Sequence, residues 1–317
     1  MTLKKILLTT DFSEHSRRAY SPAALLARKF HAELHLVHVM ETQPAVLFST
    51  PTGAPAYLPE NDLRLQAREI LDKTAADPLF GGLAVKTHLL EGGPMYDRLP
   101  RFQREHHIDL TVISTHGRTG LGHFLLGSFA ERVARLSWSP VLVVRGDAAK
   151  DAGREFAPRR ILVPCDFSVS FDTVLEWVKP LARAYESRVL LLHVMEPLPD
   201  LSVYPWEGIG LPQANAALNQ KLIENGKVIR DRLLELGRRK LGTELAVEAQ
   251  VSVGAPTSEI LNVAQEWKAD LIAMSTHGRT GLGHLFLGSV AERTVQRAPC
   301  SVVTIRPAVE TTKGPHD

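Results

Sequence analysis

A ten-residue stretch occurs twice in the chain, at residues 114–123 and 275–284, and the two copies are identical. Each copy follows a short apolar run and reads Ser-Thr-His-Gly-Arg-Thr-Gly-Leu-Gly-His. Three large apolar residues, a Gly-Ser pair and a helical pattern come next in both copies. Because this order places a glycine-rich loop between a strand and a helix, the sequence predicts two domains of one fold, each with such a loop.

The rest of the chain is duplicated as well. Residues 5–13, for example, match residues 160–168. The segment that joins the halves, residues 146–158, is mostly polar and is typical of a linker. A chain of 317 residues is also long enough for about two domains. We therefore predict one domain at residues 1–146 and a second at residues 159–309.

Composition narrows the class of protein. The net charge of +2 is too small to indicate a nucleic-acid partner or an anionic membrane surface. No apolar stretch approaches the roughly 18 residues of a membrane span. The two cysteines, Cys165 and Cys300, align with Thr10 and Ser139 of the other half, which argues against a disulfide framework. The sequence thus favours a cytoplasmic protein that binds neither membrane nor nucleic acid.

Short apolar runs alternate with helical patterns in each half. Strands that are apolar throughout and alternate with helices indicate a parallel sheet covered on both faces. The predicted fold class is therefore α/β, with one doubly wound, five-stranded parallel-sheet domain in each half. The expected strands are residues 6–9, 34–39, 84–90, 110–114 and 141–144, then 161–164, 189–194, 246–253, 271–275 and 301–305; the expected helices of the first half include 13–30, 61–76 and 128–136, with a loop at 43–59.

The ends of the first and fourth strands are the expected binding position. In doubly wound sheets, ligands bind beyond the carboxyl ends of strands where strand order reverses. Asp11 follows the first strand, and the glycine-rich loop with Gly117 follows the fourth. Asp166 and Gly278 repeat this arrangement. A carboxylate there suits ribose hydroxyls or an adenine amine, and glycines before a helix N-terminus suit phosphate.

Three sequence features resemble the universal stress protein family in its tandem, two-domain form. They are Asp-Phe-Ser after the first strand, His-Val at the second, and Gly-x9-Gly-Ser after the fourth. The resemblance covers nearly the whole chain. It implies Rossmann-like domains similar to the adenine nucleotide alpha hydrolases, a role in the stress response, and ATP, with or without Mg²⁺, as the cofactor. Both halves depart from the family's nucleotide motif, because Ser114 and Ser275 stand at its first glycine.

The resemblance also implies roles for particular residues. The aspartates would contact adenosine, and the backbones of the two valines would contact adenine. The glycines and serines would contact phosphate. The arginines could clamp phosphate oxygens. The predicted cofactor-binding residues are Asp11, Val39, Ser114, His116, Gly117, Arg118, Gly127 and Ser128 in the first half, and Asp166, Val194, Ser275, His277, Gly278, Arg279, Gly288 and Ser289 in the second.

Pairing of the two halves is a further implication of the resemblance. In the family, domains pair through the last strand of each sheet. Here residues 141–144 would pair with residues 302–305 within one chain as a pseudo-dimer. Such pairing removes two exposed strand edges at once. An unidentified protein partner and a homodimer of the whole chain are further expectations.

Simpler structural roles compete with several of these assignments. Ser128 and Ser289 each precede a glutamate by three residues, so both could be N-caps in capping boxes. Asp11 could be the N-cap of the helix that follows it. His116 recurs as His277, but no cysteine or carboxylate stands at ligand spacing, so no metal is predicted.

Motifs of efficient enzymes are absent from the sequence. It contains neither a Gly-x4-Gly-Lys-Ser/Thr phosphate loop, nor Gly-x-Ser-x-Gly, nor Asp-Phe-Gly. We therefore expect an ATP-binding regulator of the stress response without efficient turnover, and no catalytic residue is assigned. Two alternatives stay open: a weak ATPase or phosphotransferase that modifies its own Ser128 or Ser289, and a ligand-free dimerisation scaffold.

Overall fold

The computed structural model describes residues 3–40, 46–49, 55–57, 60–93, 95–114, 128–145, 156–196, 211–276 and 287–306. The chain forms two compact units. The first unit comprises residues 1–156 together with residues 283–287 and 301–306 from the far end of the chain. The second comprises residues 157–282, 288–300 and 307–317. The last described strand of the chain therefore belongs to the first unit.

Strands and helices alternate along the described chain, as the apolar pattern predicts. The elements are, in order, β1 (Lys5–Thr9), α1 (Glu14–Arg17), α2 (Tyr20–Phe30), β2 (Glu33–Val39), β3 (Val46–Ser49), β4 (Pro55–Tyr57), α3 (Glu60–Ala75), a 3₁₀ turn (Pro78–Phe80), β5 (Val85–Leu90), α4 (Met95–Glu105), β6 (Leu110–Ser114), α5 (Ser128–Leu136), β7 (Val141–Val144), β8 (Arg160–Pro164), α6 (Val169–Tyr185), β9 (Arg188–Met195), α7 (Leu211–Leu241), β10 (Ala246–Val253), α8 (Pro256–Glu266), β11 (Leu271–Ser275), α9 (Ser289–Arg297) and β12 (Ser301–Ile305).

The sheet of the first unit has the strand order β5-β2-β1-β6-β7, and these five strands are parallel. The strand β12 lies antiparallel against β7, with Val303 opposite Leu142. This pairing confirms the predicted contact between the last strands of the two halves. It also covers the β7 edge, which would otherwise present unpaired backbone groups.

The sheet of the second unit has the strand order β10-β9-β8-β11, and these strands are also parallel. Its central strand β8 is buried along Ile161, Leu162 and Val163, just as β1 is buried along its middle residues. Burial on both faces explains why these strands appear in the sequence as continuous apolar runs rather than alternating ones. The predicted α/β class with parallel sheets is confirmed.

Two local predictions for the first half are wrong. The single helix expected at residues 13–30 is divided into α1 and α2. Pro22 explains the division, because it has no N–H to donate to the carbonyl of Arg18. The expected loop at residues 43–59 contains the two-stranded antiparallel sheet of β3 and β4.

A cluster of histidines lies between β2, β5 and α4 in the first unit. His35 Nδ1 is 3.1 Å from His88 Nε2, and the two rings are stacked. Phe102 and His106 of α4 contact both rings edge-on. Glu33 Oε1 lies 2.6 Å from His35 Nε2. Because one nitrogen of the His35–His88 pair must accept the hydrogen bond, at least one of these nitrogens is unprotonated.

The charge environment of His88 opposes its protonation. Burial, with a smaller contribution from the neighbouring His35, His106, Lys86 and Arg68, lowers the pKa of His88 from its usual 6.5 to about 4. As the pH falls below 6.5, His88 therefore binds a proton more weakly in the folded protein than in the unfolded chain. The contribution of this group to stability is complete above pH 6.5 and is lost as the pH falls towards 4.

We expect His88→Gln to reduce the acid sensitivity of the first unit. The second unit provides the precedent, because Gln250 occupies the register position that corresponds to His88. The half-buried ring is partly screened by solvent, so the wild type should lose about 1–2 kcal/mol more than the variant on acidification through this range. Urea unfolding at pH 7.5 and pH 4.5 measures the difference. Equal losses of unfolding free energy in the wild type and in His88→Gln would show that His88 does not cause the acid sensitivity.

Candidate functional site

The strand order of each sheet reverses beside its first strand. In the first unit β1 lies between β2 and β6, and in the second unit β8 lies between β9 and β11. The first and fourth strands of each half are therefore neighbours, as predicted. Asp11 and Asp166 each stand two residues beyond the end of the first strand. This geometry places both aspartates at a topological switch point, where open α/β sheets bind ligands.

A tight turn holds each aspartate. Asp11 Oδ1 accepts a hydrogen bond from Ser13 N at 3.0 Å, and Asp166 Oδ1 accepts one from Ser168 N at 2.9 Å. The phenylalanine between them has a left-handed backbone in both halves, with φ of 64° at Phe12 and 59° at Phe167. A bulky residue rarely adopts this conformation, which costs free energy. The same strained turn therefore occurs at the equivalent position of both halves.

The residue before each aspartate supports the same turn. Phe12 N donates to Thr10 Oγ1 at 3.0 Å, and Phe167 N donates to Cys165 Sγ at 3.4 Å. The Thr10 hydroxyl also lies 2.5 Å from the hydroxyl of Tyr20. Burial raises the pKa of Tyr20, so this phenol remains neutral. The two halves thus reach the same backbone geometry with different side chains.

A histidine on the second strand of each half ties that strand to the turn. His38 Nδ1 is 2.7 Å from the carbonyl oxygen of Thr10, and His193 Nδ1 is 2.7 Å from that of Cys165. Since a carbonyl only accepts, Nδ1 must bear the proton in both rings. The ring centroid of His38 lies 4.2 Å from that of Phe12, and the ring centroid of His193 lies 4.9 Å from that of Phe167. This positioning role was not predicted from the sequence, although the two histidines recur at the same offset as the aspartates.

Four further predicted residues lie at or next to the ends of neighbouring strands. Val39 is the last residue of β2 and is buried, whereas Val194 in β9 is half-buried. Ser114 and Ser275 are the last residues of β6 and β11. Asp11, Val39 and Ser114 therefore share the carboxyl edge of the first sheet. Asp166, Val194 and Ser275 share that of the second.

The N-terminus of α9 is anchored at the end of β11. Gly288 N donates to the carbonyl oxygen of Thr276 at 2.8 Å. Gly288 is the N-cap of α9, and Ser289 is its first residue and is exposed. The capping-box alternative for Ser289 is therefore wrong, because the glycine occupies the cap position. The unpaired N–H groups of the first turn of α9 lie near the carboxyl edge of the sheet.

The remaining site predictions lie outside the described residues. The helix α5 begins at Ser128, as predicted, but the side chain of this residue is not described. The predicted residues outside the described part of the chain are His116, Gly117, Arg118, Gly127, His277, Gly278 and Arg279.

The serine of the turn behaves differently in the two halves. Ser13 Oγ donates to Asp11 Oδ1 at 2.6 Å and accepts from Ser16 N at 3.1 Å. Ser13 is thus the N-cap of α1, and the alternative that Asp11 is the N-cap is wrong. Ser168 is the N-cap of α6 but makes no side-chain cap hydrogen bond. Its Oγ is buried and has no hydrogen-bond partner among the described residues.

Geometry and topology together define a class of protein: a doubly wound α/β chain with the same strand-end site in each half. A profile of the universal stress protein family matches residues 2–145 and again residues 158–306. The chain belongs to the universal stress protein family, in its tandem form.

Curated relatives agree with this assignment, and a solved structure shares the fold. A universal stress protein of Methanocaldococcus jannaschii is 35% identical over 142 residues, which are 45% of this chain and 82% of the relative. One from Mycolicibacterium smegmatis is 25% identical over 308 residues, or 95% of this chain and 97% of the relative. The crystal structure of a universal stress protein from Archaeoglobus fulgidus has the same fold, with a TM-score of 0.64 and 19% identity over 96% of this chain and 97% of that one.

Two features are absent from the described residues. None of the helices in that part of the chain has the length and apolar character needed to cross a membrane. Among the same residues, no group of three or more His, Cys, Asp or Glu side chains is arranged to hold a metal ion.

Proposed function

We propose that this protein is a cytoplasmic regulator of the stress response that binds ATP at the carboxyl edge of each sheet and does not turn it over efficiently. The main support is the repeated turn, in which Asp11 and Asp166 have the same backbone geometry and hydrogen-bond pattern. A strained turn that recurs at a switch point in both halves is the type of feature found at ligand sites.

The residues at the sheet edge match the chemistry of an adenine nucleotide. Asp11 and Asp166 would accept hydrogen bonds from ribose hydroxyls, and the backbones of Val39 and Val194 would contact adenine. In the second half, the N–H groups at the start of α9, beside Gly288, would receive phosphate oxygens, which the helix dipole favours. A magnesium ion would arrive with the phosphates of the ATP.

A buried hydroxyl in the second half also supports a ligand site. Ser168 Oγ is buried beside Asp166 without a hydrogen-bond partner among the described residues. Buried hydroxyls are nearly always satisfied, and a ligand bound at the switch point would supply a partner for this one. Polar atoms of a ribose are of the right kind to do so.

Incubation with ATP labelled on the γ-phosphate separates the regulator from the enzyme alternatives. We expect ATP to be retained intact, with neither release of labelled phosphate nor transfer to protein. Ser289 is exposed at the first position of α9, so the Ser289→Ala variant is the control for self-modification. Label on the wild-type protein that Ser289→Ala lacks would overturn the regulator in favour of a phosphotransferase.

A further inference from the structure

The two strand-end sites differ in one buried hydroxyl. In the first half, Ser13 Oγ bonds both the Asp11 carboxylate and the backbone N–H of Ser16. In the second half, Ser168 Oγ is buried but makes neither type of bond. The serine hydroxyl therefore has hydrogen-bond partners within the turn of the first half. In the second half the equivalent hydroxyl is available to another group. Burying a hydroxyl without a partner costs free energy, which a bound polar group would restore.

A cation on α7 lies beside the turn of the second site. The guanidinium of Arg232, on α7, lies 5.3 Å from the centre of the Phe167 ring, directly beside Asp166 in the chain. Arg232 is exposed, and no carboxylate among the described residues is within ion-pair distance of it. The guanidinium thus lies against an aromatic face at the turn of the second site, and none of the described residues forms an ion pair with it.

The first site has an aliphatic residue where the second has this arginine. Leu71 of α3 and Leu233 of α7 are both fully buried, and both precede the matched strand positions Val85 and Val247 by the same number of residues. The residue before Leu71 is Ile70, which is 44% exposed. Ile70 therefore corresponds to Arg232 and can offer no charge to a ligand of the first site.

We propose, on the basis of the nucleotide-binding function above, that the second half holds the tighter ATP site and that Ser168 and Arg232 cause the difference. Ser168 Oγ hydrogen-bonds the nucleoside part of the ligand. Arg232 supplies positive charge to the anionic phosphates. The first site has neither contribution, because Ser13 is already bonded within its turn and Ile70 is apolar.

Two single-site proteins measure the difference directly. The Asp11→Asn chain reports the second site, and the Asp166→Asn chain reports the first, each by calorimetric titration with ATP and separately with adenosine. We expect the second site to bind ATP at least about tenfold more tightly than the first, since one bond to a charged group is worth about that factor. In the Asp11→Asn chain, adding Ser168→Ala should weaken binding of both ligands. Adding Arg232→Ile should weaken ATP but leave adenosine unchanged.

The control substitution lies on the same helix. Arg230 is an exposed arginine of α7 that pairs with Asp231, so Arg230→Ile removes an equal charge away from Phe167 and should leave both affinities unchanged. Equal ATP affinities in the two single-site proteins would overturn this inference while the nucleotide-binding function stands. An unchanged affinity after Ser168→Ala and Arg232→Ile together would do the same. Failure of the wild type to bind ATP would instead overturn the proposed function, and this inference with it.

Discussion

Replacing Asp11 and Asp166 together by asparagine is expected to weaken ATP binding by about a hundredfold or more. A carboxylate that accepts hydrogen bonds from ribose hydroxyls makes charge-assisted bonds, each worth about 1.5–3 kcal/mol, and asparagine loses that assistance. Asparagine keeps an oxygen at the position that accepts from Ser13 N and Ser168 N, so the turn and the fold should persist. Calorimetric titration of the double variant against the wild type measures the loss.

The opposite end of the same strands supplies a matched control for this double variant. Asp109 accepts from the backbone N–H groups of Lys4 and Lys5, and Asp270 accepts from that of Arg160. Asp109→Asn with Asp270→Asn removes the same number of charges in the same sheets, away from the carboxyl edge. ATP affinity should be retained in this control. Equal loss in both double variants would show that charge or stability, rather than the strand-end site, controls binding.

Val303→Asp should destabilise the first unit by at least about 4 kcal/mol, because it buries an unpaired charge. Val303 is fully buried in β12 and lies opposite Leu142 of β7. The substitution is near the end of the chain, yet β12 belongs to the first unit. Urea unfolding followed by hydrogen exchange should therefore show the largest loss of protection in β6 and β7. Loss of protection in the strands of the second unit alone would contradict this assignment of β12.

The neighbouring residue gives the control for the β12 substitution. Thr304 is buried, and its hydroxyl has no hydrogen-bond partner among the described residues. Thr304→Val replaces that hydroxyl by a methyl group of the same shape, so the free energy of unfolding should stay the same or rise by about 1 kcal/mol. A destabilisation similar to that of Val303→Asp would mean that β12 tolerates no change at all, and the burial argument would fail.

The sequence predicted the sheets well because their strands are buried on both faces. The bounds of β6, β7, β10, β11 and β12 agree with the predicted ranges to the residue. Such strands are continuous apolar runs between turn residues, and local pattern is enough to locate them. Because the chain is duplicated, each strand predicted in one half was supported by the matching run in the other half.

Local competition between neighbouring residues limited the remaining predictions. The pattern Ser-x-x-Glu at Ser289 indicated a cap, but Gly288 occupies the cap position, and its carbonyl oxygen accepts a hydrogen bond from Glu292 N. The division of the first long helix depended on a single proline, Pro22, which has no equivalent in α6 at the matching position, Trp177. Hydrophobic periodicity does not show which of two adjacent residues takes a cap position, or where a proline interrupts a helix.

Buried polar contacts were the least predictable part of the fold. Gln103 of α4 is fully buried, and its amide donates to Thr111 Oγ1 at 2.8 Å and to Ser137 Oγ at 2.5 Å. The second half has Ala264 and Ile272 at the positions of Gln103 and Thr111, so the duplication gave no indication of this network. A polar residue inside an apolar pattern reveals its partners only when the strands and helices are brought together.

Native mass spectrometry of the wild-type chain with ATP tests the central claim most directly, because it counts bound nucleotides. Two matched strand-end sites predict a maximum of two ATP molecules per chain, one in either single variant, Asp11→Asn or Asp166→Asn, and none in the double variant under the same conditions. A wild-type chain that binds no ATP, or a double variant that still binds two, would contradict the account.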